Sequence, residues 1–414
     1  MNIFSNIKLW WTSLYRVWRR ELYLVFTDPG VMLFFFALPT VYPIVYTLIY
    51  NPELVREIPV VVVDSSRTAA SREFTRTVNQ TEAINVIGYA ANLNEAREAM
   101  NSHECFGIME IPANYAERLG RGEQAVVPFY SEMSLLIRYR SFVSALTDVQ
   151  IATGARVQGE VLDAGGLITQ AKAMQGSPIN SEANFMGDPT QGFASFVIPG
   201  IIVLILQQSL ILGITMLAGG IHERRRRNRG VDPMLIDDAP VSSFIMGKTL
   251  CYLTLYIPLA YYTLCLVPDM FSLPHVGDYM EYITYILPML VATSMLGICL
   301  GVFVTERESS MLVIVFTSVI FLFLSGLTWP RYAMSPFWTL VGDLVPATWG
   351  MEGFIRLNGD HASVYQQTDG YLKMWGLTLL YFIGAWFLVR NYFKLQRSAR
   401  LRNGNKTVVV PLED

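Results

Sequence analysis

Apolar and polar positions fall in long blocks along this chain. The longest block, FASFVIPGIIVLILQQSLILGITMLAGGI, runs from Phe193 to Ile221 and holds no charge across 29 residues. A run of about 18 apolar residues or more can cross the ~30 Å hydrocarbon core as a helix. The block stops at His222-Glu223 and at the run Arg224-Arg225-Arg226-Arg227-Asn228-Arg229. Five further blocks predict spans over 31–50, 244–267, 282–304, 311–328 and 374–389. Pro39, Pro43, Pro258 and Pro288 lie inside these spans. Membrane helices tolerate such kinks when neighbours or water satisfy the freed carbonyls. The pair Gly297 and Gly301 permits close helix approach.

Residues 1–30 show a different period. Trp10, Trp11, Leu14, Tyr15, Trp18, Leu22 and Tyr23 recur at helical spacing, with Lys8, Arg16, Arg19 and Arg20 among them. That pattern predicts an amphipathic helix in the membrane interface; a helix packed on a soluble partner is the alternative. Asp28-Pro29-Gly30 ends it.

Residues 51–192 are polar enough to form a domain of their own. Strands are expected at 58–66, 84–90, 105–112 and 125–130, with short helices at 71–79 and 93–101. Such alternation implies βαβ units and a mainly parallel sheet. A long helix or helical pair is expected over 132–175. Asp64 and Glu110 have no second metal-binding or acid–base partner at useful spacing and read as turn and edge residues. The segment 329–373 carries Pro330, Pro336 and Pro346 with Trp329, Phe337, Trp338 and Trp349, which suggests an external connection that partly re-enters the interface.

Composition agrees with this layout. The 414 residues are 52% hydrophobic and only 16% charged, against about a quarter charged in a soluble domain. The four cysteines suggest no disulfide framework, since Cys251, Cys265 and Cys299 lie in apolar helices. Arginine clusters flank the short loops on one side, and loop 268–281 has no Lys or Arg. Short basic loops stay in the cytoplasm, so both termini and the 394–414 basic tail are expected inside. The first apolar block reads as a retained anchor. The expected fold is a mainly α membrane protein of six transmembrane helices with an inserted α/β extracytoplasmic domain. Its membrane region after that domain runs over 193–393.

The candidate chemistry is sparse. Gly247-Lys248-Thr249 lacks the glycine five residues earlier that a phosphate-binding loop needs, since position 242 is Ser. No zinc-protease, paired-cysteine or nucleophile-elbow motif occurs. A proton-coupled carrier normally buries ionisable residues as relays, and these spans offer almost none. Gln207, Gln208, Ser209 and Thr215 are the polar groups of the second span, read either as interhelical hydrogen-bonding residues or as the lining of a translocation path. Energy for transport would then come from a partner on the cytoplasmic side. The residues placed to meet it are Glu223, Arg224, Arg225, Asp237, Asp238, Glu306, Arg307 and Glu308.

The order of these features resembles the membrane (permease) subunit of a bacterial type-2 ABC exporter of the multidrug and polymer class. The resemblance rests on IPVVVVDSS with SREF, FGIMEIPANYAERLGRGE, GDPTQGFASFVIPGIIVLILQQ, HERRRRNRGVDPMLIDDAPVSSFIMGK and SGLTWPRYAMSPFWTLVGDLVPATWGMEGF. Asp188 stands where the family more usually has asparagine, and the loop after the second span is unusually rich in arginine. The resemblance implies an ABC ATP-binding subunit that carries ATP, and a second permease subunit, identical or related. It also implies an external domain that extends the exit path or meets a periplasmic adaptor, an inner-membrane location, no cofactor on this chain and no nucleic acid. The N-terminal interfacial helix and the 222–243 loop would transmit ATP-driven closure. A membrane receptor or scaffold whose external domain binds a ligand is the competing reading.

Overall fold

The structure, a computed structural model, describes residues 3–50, 55–121, 123–164, 192–236 and 239–402. Each of the six apolar blocks forms a helix long enough to cross a membrane. With the amphipathic helix α1 (Ile3–Thr27) counted first, the spans are α2 (Pro29–Tyr50), α7 (Phe193–Arg227), α8 (Val241–Met270), α9 (Tyr279–Gly301), α10 (Arg307–Leu324) and α13 (Thr368–Arg402). At 1.5 Å per residue the 35 residues of α7 extend about 52 Å. The helix therefore continues past the apolar block and carries the arginines in its last turns.

The prolines act through the backbone in two places. In α2 a wider π-type turn covers Leu33–Ala37, two residues before Pro39. In α8 the same turn covers Tyr262–Leu266, two residues before Pro268. A proline ring collides with the carbonyl four residues back, here that of Phe35 and of Leu264. The wide turn lies over that carbonyl in each helix. In α2 it also presents Phe35, which fills the space a side chain at Gly213 of α7 would take. Phe35 is fully buried there, against Tyr252 and Tyr256.

The helix bundle packs around α7, most of whose apolar stretch is buried. Gly297 and Gly301 both serve close approach: the first meets Ile214 of α7 and the second Ala218. Between α10 and α13 the chain turns back as two short helices, α11 (Pro336–Asp343) and α12 (Pro346–Asp360). α12 buries Trp349, Met351, Phe354 and Leu357 against α7, α9 and α13. Gly350 and Gly353 let it ride directly on Met289 and Tyr285 of α9.

The chain divides into this bundle and a second unit, Pro52–Asn184. Within the second unit, strands β1 (Ile58–Asp64), β2 (Ile84–Tyr89), β3 (Gly107–Ile111) and β4 (Phe129–Ser131) form one sheet in the order β2-β1-β3-β4. β1 pairs in parallel with β2 and β3, and β4 closes the edge antiparallel. Helices α3 (Ala69–Asn79), α4 (Leu93–Asn101), α5 (Tyr115–Gly120) and α6 (Leu136–Ala164) cover it. Alternation sends Val60 and Val62 to a core shared with Phe74, Phe142 and Leu146, and Val61 and Val63 to one shared with Ala96 and Cys105. β1 stops two residues short of the expected end. The Asp64 carboxylate accepts from Ser66 and Arg67 N–H and from the Ser71 hydroxyl, so it organises the turn. Glu110 accepts from the Tyr130 hydroxyl. α6 is continuous from 136 to 164; the rest of the expected helix, to 175, lies outside the described residues.

Candidate functional site

α1 buries one stripe, Ser13, Leu14, Val17, Arg20, Glu21, Leu24 and Val25, and exposes Trp11, Tyr15, Tyr23 and Phe26 on the other side. The stripe lies along α8. Gly247 has no side chain because the Leu14 carbonyl and Val17 occupy that space. Trp10 donates to Ser242 and Trp18 to Thr254. Two charges fall on the buried stripe. Glu21 receives Lys248 at 2.9 Å and the Tyr252 hydroxyl at 2.6 Å. Burial works against its charge, but Lys248, Arg20 and Tyr252 outweigh that and hold the carboxyl below its ordinary value. Arg20 meets Asp232 at 2.9 Å, with both side chains inside.

Asp232 anchors the loop after α7 from three directions. Its carboxylate takes Arg20 and the Met234 N–H, and its own N–H donates to Gln396 of α13. Arg225 donates to the Gly230 carbonyl and lies over the Tyr392 ring.

The turn before α10 is tied to the end of α7. Glu306 is the first residue before α10 and makes no side-chain cap bond of its own. Glu223 supplies one from α7 by accepting the Arg307 N–H at 3.0 Å, which also places a carboxylate at a helix N-terminus. The Arg307 side chain reaches Asp28 at 2.8 Å and lies 3.6 Å from the Glu223 carboxylate. Asp28 itself caps the start of α2. His222 donates to the Val304 carbonyl and Arg226 pairs with Glu306. Gly219 and Gly220 make this possible, because a side chain at either would strike the Glu306–Arg307 backbone or the Arg307 guanidinium. One residue, Arg307, therefore joins α2, α7 and α10 at the basic end of the bundle.

A bundle of six apolar helices, entered by an amphipathic helix and tied together by charges at its basic end, has a match among known families. The model described as ABC-2 family transporter protein covers residues 29–388. The chain belongs to the ABC-2 transporter family. Among curated proteins none matches it. Membership makes this transporter chain the multi-pass membrane subunit of an ABC system, and implies an ATP-binding subunit as partner.

The transporter's sequence-predicted residues divide into three groups. Glu223, Arg225, Glu306 and Arg307 are held by partners within the chain. Glu308 is exposed, and Arg224 is half-buried with Nε and Nη2 unpartnered among the described residues. Asp237 and Asp238 lie outside the described residues.

In the middle of α7 all four polar candidates are buried. Thr215 bonds back to its own helix, and Ser209 accepts from Tyr256. Gln207 has a larger task. Its carbonyl oxygen accepts the Ala347 N–H at 2.7 Å, capping α12, whose residue before the helix, Val345, has no side-chain acceptor. Gln207 stands fourteen residues into α7, about 21 Å along the helix from Phe193, so α12 is capped from the middle of the α7 apolar block. The Gln208 amide has no hydrogen-bond partner among the described residues.

Arg20, Glu21, Asp28, Asp232, Lys248 and Gln396 are the site residues that motif reasoning missed. For the first two a signal existed: projecting Leu14, Val17, Leu24 and Val25 onto a helix puts Arg20 and Glu21 on the same stripe.

Proposed function

We propose that this chain is the permease of an ATP-driven exporter. Hydrolysis on a separate nucleotide-binding subunit would move a hydrophobic or amphipathic substrate out of the cytoplasm or inner membrane. The basic end faces the cytoplasm, following the positive-inside rule, with both termini on that side. The observation that carries the reading is the Arg307 junction. It makes the exposed charges near 223–229 and 306–308 parts of one body with α2, α7 and α10. A push delivered there by the ATP-binding subunit would move three spans together. The buried α1 stripe extends the same body to α8. A second permease copy or homologue completes the path, and the external unit extends it or meets an adaptor.

On the opposite side of the bundle, α12 rests on Gln207 beside the unpartnered Gln208 amide. A short helix seated mid-bundle on α9 and capped from α7 by Gln207 is a suitable outer gate, and Gln208 is the polar group best placed to meet substrate once α12 moves.

The test is purification of the chain with its ATP-binding subunit, reconstitution into vesicles, and measurement of ATP hydrolysis with substrate-dependent efflux. Arg307→Ala is expected to keep ATP hydrolysis and lose most efflux. Copurification with no ATP-binding subunit at native expression, or full function with ATP absent, would favour the receptor reading.

A further inference from the structure

A cavity of about 60 Å³ opens at the basic end between α1, α7, α8, α9 and α13. We propose that it holds the phosphate group of an anionic phospholipid, with the acyl portion against its apolar wall. The proposal rests on the chain being a membrane protein and is independent of the direction or substrate of transport.

The donors come first. Arg20 lines the cavity and is 3% exposed. Its Nη2 donates to the Asp232 carboxylate, while the Arg20 Nε and Nη1 have no acceptor among the described residues. Arg224 is within electrostatic reach of Arg20 and Asp232, and its Nε and Nη2 are equally unpartnered. Buried polar groups in folded proteins have partners, and a guanidinium can only donate. The missing partner is therefore rich in acceptors.

Charge narrows the choice. Arg20 and Lys248 are the two cations of the cavity lining and Asp232 its one carboxylate. Both Asp232 carboxylate oxygens are already engaged, as is the Lys248–Glu21 pair. Water would accept hydrogen bonds, but without the charge-assisted strength that an anion gives a buried guanidinium. A phosphate group answers both needs, since arginine binds its oxygens in charge-assisted pairs. The volume holds four to six water-sized centres at about 10–15 Å³ each, the scale of a tetrahedral oxyanion.

The wall identifies what the phosphate is attached to. Ile221, Leu235, Phe244, Ile298 and Val389 line the same cavity. A soluble anion gains nothing from them, whereas an acyl chain does. The site also lies where the apolar part of α7 gives way to its arginines, the depth at which lipid headgroups lie.

The experiment uses the delipidated full-length chain in detergent. Phosphatidylglycerol is titrated in mixed micelles and bound copies are counted by native mass spectrometry; inorganic phosphate is titrated in parallel. Expected is one saturable phosphatidylglycerol per chain, weakened about tenfold or more in the charge-balanced variant R20Q/D232N. Leu235→Trp, which fills the cavity and leaves its charges in place, should weaken it likewise. Arg19→Gln, on the exposed face of α1, should not. Saturation by inorganic phosphate alone would overturn the lipid assignment in favour of a soluble anion. Absence of saturable binding by either probe, or equal loss in Arg19→Gln, would overturn the site.

Discussion

Glu21 and Lys248 meet at 2.9 Å with both side chains buried, one from the amphipathic entry helix and one from a membrane span. Removing one member of such a pair leaves the other charged and unpaired, at about 3–5 kcal/mol. Glu21→Gln and Lys248→Met are each expected to lower the melting temperature in detergent sharply. The apolar double variant E21M/K248M should recover most of the loss, because desolvation of two charges is no longer required. A double variant no better than the worse single one would contradict this account.

The same carboxylate sets an acid limit. Its folded-state value lies below the ordinary 4.5, so the stability it contributes is present above pH 4.5 and is lost as pH falls through the depressed value. Melting temperature should therefore hold steady above about pH 5 and decline below pH 4.5, with a shallower decline in E21M/K248M. Parallel curves for the two proteins would assign the acid limit to other groups.

Arg307 stabilises position more than fold. Its guanidinium and the Glu223 carboxylate are partly exposed while Asp28 is largely buried, and ion pairs of a guanidinium open to water contribute about 0–1 kcal/mol. Arg307→Ala should melt within a few degrees of the parent and still lose most of its coupling between hydrolysis and efflux. Glu223→Lys should behave likewise, since it removes the cap of α10 and repels Arg307. Wild-type coupling in both would exclude the junction as a transmitting element.

Two glycines inserted after Leu217 would advance the end of α7 by about 3 Å and turn it by about 200°. Gly219 and Gly220 would then leave the Glu306–Arg307 backbone that they now touch. Efflux should vanish while the external unit, probed by its own protease-resistant fragment, stays folded.

Gln207→Leu keeps the volume and deletes the cap of α12. The exposed Ala347 N–H is worth about 1–3 kcal/mol when left unmade in the interior. Hydrogen exchange over 346–350 should accelerate by one to two orders of magnitude, with the rest of α7 unchanged. Unaltered exchange would mean that α12 is held by its apolar side alone.

The six spans, the mainly parallel sheet and the basic end were legible because each rests on many residues of one kind. Phe193–Ile221 needed only its length, and IPVVVVD only its unbroken apolar run. The ties between elements were not legible, since each depends on one residue meeting another far along the chain. Lys248 near the start of an apolar helix reads as a charge that can reach water, and only its contact with Glu21 shows otherwise. The arginine run predicted a basic flank, but which arginine joins which helix is decided by Gly219 and Gly220. The seat of α12 against the middle of α7 was hidden because Glu352, Arg356 and Asn358 make it too polar to read as part of the bundle. Pro39 announced a kink but not the wide turn that precedes it and seats Phe35 over Gly213.

The two buried charges of α1 impose an order on biosynthesis. Arg20 waits for Asp232, 212 residues later, and Glu21 for the Tyr252 hydroxyl, 231 residues later. At about 5–20 residues per second, the ribosome needs roughly ten to forty seconds to supply those partners. Through that interval the entry helix must keep both charges in contact with water or headgroups. Its docking onto α8 is therefore a late event, and a nascent chain arrested before residue 232 should carry α1 undocked.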